Sequence, residues 1–151
     1  MGVQVGRECK LYYNSATHAT PTWVLVGRAV DVSMTGSKGE ADQSSRSSSY
    51  KKTGAGLKDM TIEFGYRTKT GADTVWDIFT AMFFTDTTKQ IFCANQLAAT
   101  SGSEGLRAFC QCFGITDEQA MEDGQLSTIT LKPTYAEESS AEVDPDWYVV
   151  T

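Results

Sequence analysis

The sequence predicts an all-β domain, a sandwich or barrel of six to seven strands carrying one flanking α-helix and a long inter-strand loop. Three observations predict it. Met60–Tyr66 alternates, with Met60, Ile62, Phe64 and Tyr66 on one face and Thr61, Glu63 and Gly65 on the other, the period of a strand with one buried side. The period then changes: Val75, Ile78, Phe79, Met82 and Phe83 fall at helical spacing, widened by Trp76, and a helix this short must rest its apolar stripe on a sheet. Elsewhere, short apolar runs are separated by Gly, Pro, Asn and Ser clusters, the punctuation of an all-β chain.

In chain order, 2–14 contains Val, Tyr and Leu near turn formers and reads as a strand or an extended arm. Residues 15–20 are small and polar and lead into Pro21. The segment 22–34 reads as one long strand. Val24, Val26, Val30, Val32 and Met34 lie on one face and Trp23, Leu25 and Ala29 on the other, with Gly27 marking a bulge or a close approach. The segment 35–57 is rich in Ser, Gly and Lys, with Tyr50 its main large apolar group. It reads as an extended loop or arm, of a length that marks a functional element. Thr68–Gly71 supplies a turn, and the helix is expected over 72–85, with Asp73 or Thr74 able to cap its first turn. A strand over 90–94 follows. In 106–115, Phe109, Phe113 and Ile115 oppose Ala108, Cys110 and Cys112. The residues 116–124 read as an acidic turn. A strand over 126–135 ends near Pro133, expected at a sheet edge. The acidic tail is 136–151, where 147–150 is apolar enough to dock as a last strand or plug a neighbour.

The 151 residues suffice for a single domain with a real core. No apolar run approaches the roughly 18–20 residues of a membrane span. The first residues lack the basic patch and apolar stretch of a secretory signal, so no membrane is expected among the partners. Net charge is −6, unevenly spread: residues 116–151 hold nine acids against one base, Lys132. Such a chain does not grip DNA by neutralising phosphates. Cys110-Gln111-Cys112 is C-x-C rather than C-x-x-C, and with Cys9, Cys93 and the single His18 it makes a poor metal set. The four cysteines are expected to be reduced, buried hydrophobes. No nucleophile motif or phosphate-binding glycine pattern is present, so no catalytic residue, cofactor or metal is assigned. What remains is self-assembly, with a basic arm facing an acidic tail as the complementarity of a head-to-tail contact.

The order of these features resembles a family. Trp23-Val24-Leu25-Val26, the loop Glu40-Ala41-Asp42-Gln43-Ser44-Ser45-Arg46, the run Gly56–Phe64 (GLKDMTIEF), the helix over 72–85 and Leu131-Lys132-Pro133 together look like the major tail tube proteins of long-tailed bacteriophages, which are related to tube proteins of contractile injection systems. The resemblance runs from about Cys9 to Tyr135. It implies a virion structural protein, made in the host cytoplasm, whose hexameric rings stack into a hollow tube for genome delivery. Its partners would be other copies of itself and tail proteins such as tape measure, initiator and terminator, with DNA passing through without specific binding. The arm over 35–57 would reach the adjacent ring, which makes Lys38, Arg46, Tyr50, Lys51 and Lys52 interface candidates. A negative lumen would draw on Asp117, Glu118, Glu122, Asp123, Glu137 and Glu138. The competing readings are a capsid decoration or tail-completion protein and a small β-sandwich binding module.

Overall fold

A computed structural model describes residues 6, 9–119, 121 and 124–151. Its strands are β1 (Lys10–Asn14), β2 (Trp23–Leu25), β3 (Ala29–Asp42), β4 (Thr53–Arg67), β5 (Lys89–Ala94), β6 (Glu104–Glu118), β7 (Leu126–Pro133), β8 (Glu137–Glu138), β9 (Ala141–Glu142) and β10 (Asp146–Val149), with one helix, α1 (Thr74–Phe84), between β4 and β5. Seven strands run in the order β2-β1-β5-β6-β7-β4-β3, every pairing antiparallel, and β10 joins as an eighth beside the start of β6. The sheet is open, and β8–β9 form a separate two-stranded ribbon. The all-β class with one helix therefore stands.

The core lies between one face of this sheet and α1. Ile62, Phe64 and Tyr66 of β4 are buried with Ile129 and Leu131 of β7, Leu106, Ala108, Cys110 and Cys112 of β6, Ile91 of β5 and Leu11 of β1. Phe79 and Met82 complete it from the helix. In β6 the small residues are the buried ones, because α1 packs over that strand and only Ala and Cys leave room for its side chains. Phe113, on the opposite face, is exposed. A second cluster on the other side of the sheet packs Tyr12, Phe92 and Ala94 with Trp23, Tyr148 and Val150. The C-terminal strand is docked there by Arg107, which is bidentate to Asp146 at 3.0 and 2.6 Å and lies 4.0 Å above the Tyr148 ring. The segment 147–150 is thus used inside the subunit. Gly105 sits where a Cβ would collide with the Cys93 carbonyl, so this β5–β6 contact requires a glycine.

Asp73 is the residue that starts α1. Its carboxylate accepts from Trp76 N–H at 3.2 Å and from the buried Tyr66 hydroxyl at 2.9 Å. Tyr66 also stacks on Trp76, with ring centroids 5.9 Å apart and planes 9° from parallel. One side chain therefore satisfies a helix end and ties it to β4. Burial raises the Asp73 carboxyl, but the Trp76 and Tyr66 hydrogen bonds and the nearby Lys69 outweigh it and leave it below its ordinary value. Burial and the bond to Asp73 push the Tyr66 phenol far up. The depressed carboxyl contributes stability that is complete above its unfolded value, near 3.9, and is lost as pH falls through the lower folded value. Asp73→Asn keeps an accepting oxygen for the cap, so its melting temperature is expected to fall below that of the parent at neutral pH. The gap should close in strong acid; thermal melts from pH 7 to pH 2 check this, and a gap that widens in acid contradicts it.

Several expectations are corrected. The run 22–34 is two strands: a turn at 26–28 separates β2 from β3, and Asp31 at φ 50° lies in an irregularity between Val30 and Ser33. The 35–57 segment is mostly not loop; strand structure continues to Asp42 and resumes at Thr53. The helix is shorter, Thr74–Phe84 with Asp73 as its cap. Strand β6 runs on to Glu118, taking in the first three residues of the expected acidic turn over 116–124. The acidic tail contains β8, β9 and β10. Pro133 ends a strand lying between β6 and β4, where it faces Cys110 after the pairing to β4 has stopped at Leu131. Among the cysteines, Cys110 and Cys112 are buried, Cys93 is partly buried and Cys9 is exposed, and all are free. Burial pushes the Cys93 thiol up to about 12.

Candidate assembly interface

The largest departure from a compact domain is the ribbon made by β3 and β4. Their register runs from Ala29↔Tyr66 to Asp42↔Thr53, but β7 pairs with β4 only from Ile62 to Arg67. Beyond Ile62, the ribbon has no third strand among the described residues. At a rise of about 3.3 Å per residue, residues 53–61 carry it roughly 30 Å past the sheet. Every residue of β3 from Asp31 onward is exposed, and of residues 53–61 on β4 only Met60, at the base of the ribbon, packs against the core as an apolar side chain. A two-stranded ribbon in water is marginal without further packing.

The sequence explains why the ribbon forms. Val30, Val32, Thr35, Thr53 and Thr61 supply β-branched residues, and glycines set its shape. A Cβ on Gly56 would lie 2.8 Å from the Gly39 carbonyl carbon, at the irregularity between Lys38 and Glu40. The two glycines thus let the strands approach at a bulge. The tip is closed by Gln43 N–H donating to Lys52 O at 2.9 Å and Lys52 N–H donating to Ser44 Oγ at 2.9 Å. Asp42 accepts from Ser44 N–H at 2.9 Å, and that bond holds its carboxyl below the ordinary range. The Ser-rich run that looked like loop is the hydrogen-bonding material of the turn.

The interface candidates all fall on this ribbon. Lys38 is on β3, and Arg46, Tyr50, Lys51 and Lys52 cluster at the tip. Tyr50 is 78% exposed. A residue that sequence reasoning did not single out is Leu57, which is 91% exposed on the ribbon. Further strand edges are open among the described residues. Nothing pairs with the outer side of β3, with the β7 side of β4 before Ile62, or with the β5 side of β6 beyond Cys110. Long unpaired edges are templates for pairing with another chain.

The acidic candidates do not form one patch. Asp117 and Glu118 face Ser127 and Leu126 at the start of β7, whereas Glu137 and Glu138 lie past its other end, a separation of at least about 25 Å along the strand. Asp117 accepts from Gln125 at 2.7 Å and Ser127 at 3.1 Å, and the Gln125 bond foremost holds its carboxyl low. Glu138 is committed internally: its carboxylate accepts from His18 N–H at 2.7 Å and Ala19 N–H at 3.4 Å. Glu122 and Asp123 lie outside the described residues. Among the described residues, no group of three His, Cys, Asp or Glu side chains could hold a metal ion, and no helix is long and apolar enough to cross a membrane.

No protein-family profile matches this sequence, and no curated protein matches it. Solved structures do share its fold. The SPP1 tail tube, determined by solid-state NMR and cryo-EM, superposes with a TM-score of 0.71 at 12% identity, covering 96% of this chain and 78% of that one. A chain in the tail of an empty gene transfer agent particle, refined with C6 symmetry, gives 0.67 at 13% identity, covering 89% of this chain and 96% of its own. A chain of the six-fold symmetrised anti-feeding prophage baseplate gives 0.51 at 11% identity, covering 94% and 91%. The chain thus has the fold of phage tail tube proteins, a fold also found in the anti-feeding prophage baseplate.

Proposed function

We propose that this chain is a structural virion protein that polymerises with itself, as stacked hexameric rings, into a tail tube serving as a channel for genome delivery. The observation that carries the reading is the β3–β4 ribbon: about 30 Å of solvent-exposed strand pair on a fold shared with tail tube subunits. A ribbon with no packing partner inside its own subunit acquires one when a neighbouring copy covers it. The six-fold symmetry of the related gene transfer agent tail and prophage baseplate supports the hexamer. The open edges of β3 and β6 support lateral closure, since pairing them around a ring removes exposed edges.

In this reading Lys38, Arg46, Tyr50, Lys51 and Lys52 contact the adjacent ring. Asp117 and Glu118 are candidates to keep the lumen negative, and the depressed Asp117 carboxyl would stay charged well into acid. DNA then slides without adhering. The chain performs no catalysis, its site is the virion tail, and other tail proteins meet it at the tube ends and in the lumen. Native mass spectrometry tests the ring: species at six times the 16.5 kDa chain, or stacks of that unit, are expected with rising concentration. A fixed dimer or trimer at all concentrations would overturn the ring reading.

A further inference from the structure

On the β3–β4 ribbon, Lys38 and Lys58 are direct cross-strand partners. Side chains so placed have Cβ atoms about 4.5–5.5 Å apart, and like charges there repel. Both are exposed. Alternation puts Met34, Gly36 and Met60 beside them and sends Asp59 and Glu63 to the opposite face; Glu40, two residues past Lys38 on β3, shares their face beyond the bulge but forms no ion pair with either lysine. Among the described residues, neither lysine has an ion-pair partner. Gly36 and Gly56 flank the rung in the register and leave its approach unobstructed. A repulsive pair in open ground, kept in a ribbon that lacks other stabilisation, calls for a counter-charge from outside the subunit.

The same chain carries a rung of opposite sign. Glu137 and Glu142 are direct partners across β8–β9, and both are exposed. Their spacing is that of the lysine rung because both are cross-strand pairs in antiparallel ribbons. The acidic rung is held rigidly. Ser139 and Ser140 turn the hairpin with φ of 54° and 63°, the two left-handed residues of a tight hairpin turn. Glu138, pointing the other way, anchors it to the backbone of His18 and Ala19. Tyr135 donates to Glu137 at 2.8 Å, and its phenol is raised by Glu137 first and by Glu142 as well, which agrees with the two carboxylates standing together.

We infer that the Lys38–Lys58 rung of one copy docks on the Glu137–Glu142 rung of the next, a two-by-two ion-pair contact between successive subunits. The inference rests on the self-assembly reading above and names the partner surface for the ribbon. It assigns Glu137 to a contact between copies rather than to the lumen. The contact is heterologous, since the two rungs are different surfaces, so it propagates from copy to copy. Its charges select register and add salt sensitivity.

Three variants test it: Lys38→Glu with Lys58→Glu, Glu137→Lys with Glu142→Lys, and all four changes together. Circular dichroism melts first establish that each is folded, as expected for exposed positions. Each reversal pair alone is expected to raise the concentration needed for assembly by about ten-fold or more, since like charges are then brought face to face. The four-fold variant is expected to return towards the parent value. In parallel, carbodiimide coupling of an equal mixture of light and heavy-isotope protein is expected to join Lys38 or Lys58 of one copy to Glu137 or Glu142 of another. Reversal pairs that assemble like the parent, or a four-fold variant no better than either, would overturn the docking while leaving the tube standing. Parent protein that never assembles would overturn both. Unchanged assembly with lost binding to a duplex oligonucleotide would assign the lysine rung to nucleic acid and overturn the docking.

Discussion

Phe79→Ala is expected to destabilise the subunit by roughly 3–5 kcal/mol, the cost of removing a fully buried aromatic side chain and leaving a cavity. Phe79 is 0% exposed and packs edge-on against Phe64 at 5.2 Å and Tyr66 at 6.0 Å. Those two residues belong to β4, so Phe79, with Asp73 and Trp76, holds the helix to the strand that feeds the ribbon. The cavity cannot close easily, because the Phe64 and Tyr66 rings that would have to move into it are themselves buried. Against a typical domain stability of about 5–15 kcal/mol, that loss puts the variant near its folding limit. Urea unfolding followed by fluorescence checks it. Phe84→Ala serves as the control: Phe84 lies on the same helix but is 75% exposed, and its truncation should stay within about 0.5 kcal/mol. A Phe79 variant within about 1 kcal/mol of the parent would mean that α1 does not close the core.

Removing the ribbon should have the opposite profile, leaving the fold intact and abolishing assembly. Gly36 and Met60 are direct cross-strand partners, so an Asn-Gly dipeptide joining them in place of 37–59 makes a two-residue hairpin of favoured type. No residue in the deleted stretch is buried, and the β4–β7 pairing, which begins at Ile62, is untouched. The melting temperature is therefore expected to hold within a few degrees, or to rise as a marginal element is removed. Sedimentation velocity should show single subunits at every concentration at which the parent polymerises. Normal polymers from the shortened chain would place the assembly surface elsewhere, on the sheet edges alone. Loss of folding would show that the ribbon supports the core, which its exposure argues against.

The contrast between these experiments follows what was legible in the sequence. Ile62, Phe64, Tyr66, Phe79 and Met82 declared themselves because each element buries one face, and a buried face imposes a period. The ribbon did not, because neither of its faces meets a core: with Ser, Gly, Lys and Thr on both sides there is no alternation to see, and low apolarity reads as loop. The bulge between Lys38 and Glu40 then shifts what pattern remains. In 106–115 the two opposed faces were legible, but not which of them the helix covers. The helix lies over β6, and Ala108, Cys110 and Cys112 are the buried face while Phe113 is exposed. At the site, the basic candidates are exposed on the ribbon, but the acids were read as one charge excess. Only the strand register separates Glu138, tied to His18, from Glu137, which is paired with Glu142.

The central claim is that copies of this chain form a hollow tube, and negative-stain electron microscopy of the purified protein at low and high concentration tests it most directly. Rings at low concentration, giving way to hollow filaments at high concentration with six subunits in each cross-section, are the expected result. Compact single particles of one-subunit size at every concentration, with no rings or filaments, would contradict it.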